Sequence, residues 1–214
     1  KWYVLIVNHR NSTVVKLTFT DDLSAVSSSE VIGSLTQVIN PTAIEAIQSD
    51  ALHVILTNGN AATGSVVYLN FGKSINNTPT ETKYNVPGSQ RLEGISIVQQ
   101  DCNHYVGLIS SNDNKQIYAL DFENGFSNNP ALTKLNIEIQ RAAHLQMIIE
   151  KGIYYAIVQT KLGNIFRVKF TDPQSSSAQV TNLGRSQRYG YGFDLVREGK
   201  IYHGFAINQS SGKL

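Results

Sequence analysis

Ile117-Tyr118-Ala119-Leu120-Asp121-Phe122 is a short apolar run that ends in phenylalanine, and three other runs share its design. They are Val14-Val15-Lys16-Leu17-Thr18-Phe19, Val66-Val67-Tyr68-Leu69-Asn70-Phe71 and Ile165-Phe166-Arg167-Val168-Lys169-Phe170. The closing residues Phe19, Phe71, Phe122 and Phe170 lie 52, 51 and 48 residues apart. A fixed period of this size marks a repeat architecture.

Each period contains three further apolar runs. Before the Phe run comes an aromatic and β-branched stretch, Trp2 to Asn8, Leu52 to Asn58, Tyr105 to Ser111 and Tyr154 to Thr160, with a fifth copy from Tyr202 to Asn208. These runs are nearly continuous in apolar residues, as strands buried on both faces are. Their third position is often small (Gly107, Ala156, Gly204), which suits close packing of backbones. Polar hairpin turns, His9–Thr13, Gly59–Ser65, Asn112–Gln116 and Lys161–Asn164, lead into the Phe run. After the Phe, a turn marked by Pro79, Pro130 or Pro173 precedes a weaker, polar edge strand. That strand is expected at 36–39, 82–86, 132–137 and 179–183. The last run alternates apolar and polar residues: Ile44-Glu45-Ala46-Ile47, Ile95-Ser96-Ile97-Val98, Leu145-Gln146-Met147-Ile148 and Phe193-Asp194-Leu195-Val196.

Four antiparallel strands per period of about 50 residues predict an all-β chain, a β-propeller of four-stranded blades. One partial propeller is expected over residues 1–214. The aromatic strand occurs five times and the others four times, so the sequence reads as about four blades of a larger ring of six to eight. It opens on Lys1-Trp2 without an initiator Met, as a processed or partial chain does.

One blade carries the repeat most completely, in Gly94-Ile95-Ser96-Ile97-Val98, Asn103-His104-Tyr105-Val106-Gly107, Leu120-Asp121-Phe122 and Asn128-Asn129-Pro130. This pattern resembles the propeller repeats of large secreted and cell-surface proteins of Bacteroidota that are associated with type IX secretion. It is more distantly similar to NHL and lactonase-type propellers. The resemblance rests on packing residues and implies fold and an extracellular or cell-surface location. Scarce charge and a surplus of Asn, Ser and Thr point to the same location.

Composition removes several function classes. A net charge of +2, without basic clusters, gives no footprint for nucleic acid. No apolar run reaches the length of a membrane-spanning helix. The single cysteine, Cys102, can form no internal disulfide and lacks an activating neighbourhood. Neither a Gly-x-Ser-x-Gly motif nor a phosphate-binding loop is present. The histidines His9, His53, His104, His144 and His203 form no metal-spaced pair, and His53, His104 and His203 suggest packing roles. Sequon matches at Asn11, Asn76 and Asn208 are expected by chance in a chain rich in Asn, Ser and Thr.

In a propeller the first strand of each blade lines the central channel. The candidate binding residues are therefore Glu45, Ser96, Gln146 and Asp194, which share one position in four blades, with Glu93, His144 and Tyr191 just upstream. No catalytic residue, metal ligand or cofactor is assigned, calcium being the one ion the acidic inner positions suit. Hairpin loops around Asn11, Asn60, Asn114 and Lys161 vary on a constant scaffold, as a binding surface does. The leading expectation is a non-enzymatic, adhesin-like interaction or scaffold domain that meets a protein, a glycan or other envelope proteins. The alternatives are a metal-dependent lactonase-like hydrolase and a structural subunit of an envelope complex.

Overall fold

The structure is a computed structural model, and it describes residues 1–20, 22–59, 62–126, 128–186 and 190–208, with backbone alone at 190, 191 and 208. The described residues form strands and turns without a helix. The chain divides into two compact units, Lys1–Leu92 and Glu93–Leu214.

The first unit holds two sheets. β1 (Trp2–Asn8), β2 (Thr13–Phe19) and β3 (Val26–Val31) pair in that order. β4 (Pro41–Gln48), β5 (Leu52–Asn58), β6 (Ser65–Asn70) and β7 (Thr80–Asn85) form a complete four-stranded meander. In the second unit the sheets are β8 (Leu92–Asp101), β9 (His104–Ser111), β10 (Gln116–Phe126) and β11 (Ala131–Glu138), then β12 (Ala142–Glu150), β13 (Ile153–Thr160), β14 (Asn164–Phe170) and β15 (Gln179–Arg185). A hairpin of β16 (Gly190–Glu198) and β17 (Ile201–Asn208) follows. Sheets of four antiparallel strands, each strand beside its sequence neighbour, are the blades the period predicts.

The register explains the phenylalanines. Phe122 lies opposite Tyr105 and Phe170 opposite Tyr154, and Trp2 faces Phe19 in the same way. Each blade thus closes one end with an aromatic or apolar rung, the Tyr154 and Phe170 rings stacking at 4.9 Å. Phe71, Phe122 and Phe170 are buried, and burial of such a ring contributes about 1.5–3 kcal/mol. Gly107 has the close contact its position predicts: a Cβ there would lie 3.0 Å from Ile97 Cγ1. Separate cores result. Val54, Leu56, Val67 and Leu69 centre the first unit, and Leu108, Ile117, Ala156, Val158 and Val168 centre the second.

Two expectations of local structure are corrected. The edge strand expected at 36–39 lies instead at β3, whose six residues are all exposed and carry no apolar signal. The segment at 36–39 bends at Thr36 and Gln37 and forms no strand; the Glu81 carboxylate accepts the amides of Thr36 and Gln37, each at 2.9 Å. The strand end expected at Phe122 comes later, because β10 runs on to Phe126, whose ring packs on Phe122 and Tyr105.

The residue entering each complete blade shares one backbone feature. Asn40, Arg91 and Arg141 immediately precede β4, β8 and β12, and all three are left-handed, with φ of 47°, 46° and 56°. Such a conformation is costly for a residue with a Cβ.

Candidate functional site

The inner strands β4, β8, β12 and β16 carry the residues singled out in the sequence. Pairing supports their equivalence: Glu45 stands opposite Ile55, Gln146 opposite Ile157 and Asp194 opposite Phe205, the same rung in three sheets. Glu45 and Gln146 are half-buried and Asp194 is exposed, its carboxylate accepting the amide of Leu195 at 2.8 Å. Ser96 differs. It is 1% exposed, and its Oγ accepts the Met147 amide of β12 at 3.1 Å. Through that bond Ser96 joins two blades of the second unit. The side chain of Tyr191 lies outside the described residues, as does Asn60.

Glu93 and His144 come together with two residues from hairpin turns. The Glu93 carboxylate is 8% exposed and receives the Lys161 ammonium at 2.7 Å and the Asn112 amide at 3.2 Å. His144, half-buried, feels the charges of both Glu93 and Lys161. Burial holds its pKa below the ordinary 6.5, Glu93 opposing and Lys161 reinforcing that fall. The imidazole is therefore neutral near pH 7. Gln159 stands opposite His144 across β12 and β13, fully buried, and neither its Nε2 nor its Oε1 has a hydrogen-bond partner among the described residues.

A lock between strands places Glu93. The Gly94 amide donates to Ser110 Oγ at 3.0 Å, and that hydroxyl reaches the Ala143 carbonyl at 3.4 Å. A Cβ on Gly94 would lie 2.4 Å from the Ala143 oxygen, so only glycine lets β8 approach β12 this closely. The sequence singles out Glu93 and His144 and places Lys161 in a variable hairpin loop, while Asn112 reads only as a turn residue. Their shared place, just after the second strand of a blade, was the available signal.

The other histidines are held structurally. Burial pushes the Tyr68 phenol to about 12, so it stays protonated and donates to His53 Nδ1 at 2.5 Å. The His53 Nε2–H is then left facing Asp50 at 3.4 Å. His104 Nε2 meets the buried Asp121 carboxylate at 2.6 Å, and His203 pairs with Glu198 at 3.2 Å. Among the described residues, no three His, Cys, Asp or Glu side chains group as they would around a metal ion.

No protein-family model matches the chain, and no curated protein matches its sequence. Solved structures do match its fold. An exo-β-1,3-galactanase from Phanerochaete chrysosporium, solved with β-1,3-galactotriose, superposes with a TM-score of 0.58 at 12% identity, over 98% of this chain and 58% of that one. An exo-β-1,3-galactanase from Clostridium thermocellum gives 0.54 at 14% identity, over 95% and 53%. A GH43 enzyme from Xanthomonas citri gives 0.54 at 9%, over 94% and 75%. This chain thus spans about half the length of the two galactanases. At such identities the likeness shows the fold, that of a β-propeller. It also overturns the leading functional expectation. Two of these neighbours are exo-β-1,3-galactanases, so the reading as a non-enzymatic interaction or scaffold domain gives way to the hydrolase alternative.

Proposed function

We propose that residues 1–214 belong to a propeller glycoside hydrolase acting on a β-linked glycan. The observation that carries this reading is the Glu93 carboxylate, held at the start of an inner strand by Lys161 and Asn112. The galactanases of the same fold support the choice of substrate class. Cleavage of a glycosidic bond needs one carboxylic acid to protonate the leaving oxygen and one carboxylate as base or nucleophile. Glu93 suits the second part, because a cation and an amide donor hold its carboxylate in place. Asp194, on the inner strand β16 of the same unit, is the candidate for the acid. Neutral His144 can accept or donate a hydrogen bond to a sugar hydroxyl beside Glu93.

The reading includes a single propeller over the chain and a location outside the cell. Low charge, abundant Asn, Ser and Thr, and the resemblance to secreted Bacteroidota repeats support that location. Fractionation of the producing cells tests it.

The activity test is direct. The protein containing residues 1–214 is incubated with β-1,3-galacto-oligosaccharides and a panel of other β-linked and α-linked glycans, and reducing ends are measured. Cleavage of a β-linked substrate is expected, with Glu93→Gln lowering kcat by about 10²–10⁴ while the far-ultraviolet dichroism stays unchanged. Absence of cleavage across the panel, or a Glu93→Gln protein as active as the parent, overturns the assignment.

A further inference from the structure

One rung of the blades is built alike in two of them and differently in a third. Two residues before Glu45, Gln146 and Asp194 stand Ala43, His144 and Gly192, opposite Thr57, Gln159 and Ile207. In the pair β4 and β5 the Ala43 amide donates to Thr57 Oγ1 at 3.1 Å. In β8 and β9 the Gly94 amide donates to Ser110 Oγ in the same way. A small residue facing a buried hydroxyl thus satisfies the rung from within the blade. Only β12 and β13 place two large polar side chains there, and neither the His144 ring nor the Gln159 amide has a hydrogen-bond partner among the described residues. Gln159 is fully buried, and leaving both polar atoms of a buried amide unpaired opposes folding. Serine or threonine would avoid that penalty, as the other blades show. A local departure of this kind, with no gain inside the fold, points to a group supplied from outside.

We propose that His144 and Gln159 form a subsite for two neighbouring hydroxyl groups on one sugar unit of an uncharged glycan. Cross-strand partners point to one face with their Cβ atoms about 4.5–5.5 Å apart, so the imidazole and the carboxamide lie side by side. The neutral imidazole offers one donor and one acceptor, and the carboxamide offers two donors and an acceptor. A hydroxyl both donates and accepts, so an adjacent pair of hydroxyls meets these groups without bringing charge. A carboxylate or phosphate has no proton for Gln159 Oε1, and an ammonium has no lone pair for Gln159 Nε2. His144 is half-buried and is the member that solvent reaches; a turn of its ring admits the sugar to Gln159. The choice of a glycan rests on the hydrolase reading, whereas the unpaired rung stands without it.

The protein containing residues 1–214 is titrated in a calorimeter with β-1,3-galacto-oligosaccharides and the other uncharged β-linked glycans of the panel. Glu93→Gln replaces the parent for any glycan that is cleaved. Gln159→Met keeps an unbranched side chain of similar length and removes both hydrogen-bonding atoms. It is expected to weaken binding about tenfold or more while raising the urea midpoint. A residue that serves only the fold would lower the midpoint instead. The proposal is overturned if Gln159→Met binds as tightly as the parent, if its urea midpoint falls, or if no glycan of the panel binds. A crystal structure with the glycan is expected to show sugar hydroxyls on Gln159, and an ordered water alone on that amide overturns the proposal. The two readings fail separately. Binding that depends on Gln159 without any cleavage removes the hydrolase and leaves the subsite, and cleavage with binding untouched by Gln159→Met does the reverse.

Discussion

At the residue scale, the Glu93 cluster makes predictions of opposite character. Gly94→Ala places a Cβ against the Ala143 carbonyl, which belongs to backbone and cannot swing away. A loss of about 1–3 kcal/mol in urea denaturation is expected. His144 sets a pH dependence. Its folded-state pKa lies below 6.5, so the unfolded chain takes up the proton first as pH falls. The stabilisation is complete above about pH 6.5 and is lost progressively as pH drops toward the folded value. Urea midpoints at pH 7.5 and pH 5 measure the slope, and His144→Gln is expected to flatten it.

At the scale of strands, the sequence disclosed most where residues pack and least where they are solvated. The Tyr and Phe rungs of β9 with β10 and β13 with β14 are apolar on both faces, so their period was visible without a structure. β3 consists of Val-Ser-Ser-Ser-Glu-Val, wholly exposed, and only pairing with β2 makes it a strand. Alternation shows which side Ser96 faces but not that a neighbouring blade offers it an amide. Lys161 and Glu93 lie 68 residues apart, a separation over which an ion pair leaves no local pattern. The stretch at 36–39 offers a test of the same kind. Glu81→Gln weakens two charge-assisted bonds to the Thr36 and Gln37 amides and should speed exchange at both, at a cost of about 1 kcal/mol.

At the scale of the whole molecule, the two units carry separate cores, so a lesion in one should stay there. Phe170→Ala removes a buried ring stacked on Tyr154 and is expected to cost about 3–5 kcal/mol. Hydrogen exchange should then accelerate in β13 and β14 and stay slow in β5 and β6. Equal acceleration in both units would show that they unfold as one body. The left-handed residues Asn40, Arg91 and Arg141 have a consequence for how such a chain can grow. They are three copies of one joint, each placed where a new blade begins. A stretch from one joint to the next is a cassette whose two ends have the same shape. Duplicating or deleting it would leave the same backbone conformation at every remaining splice.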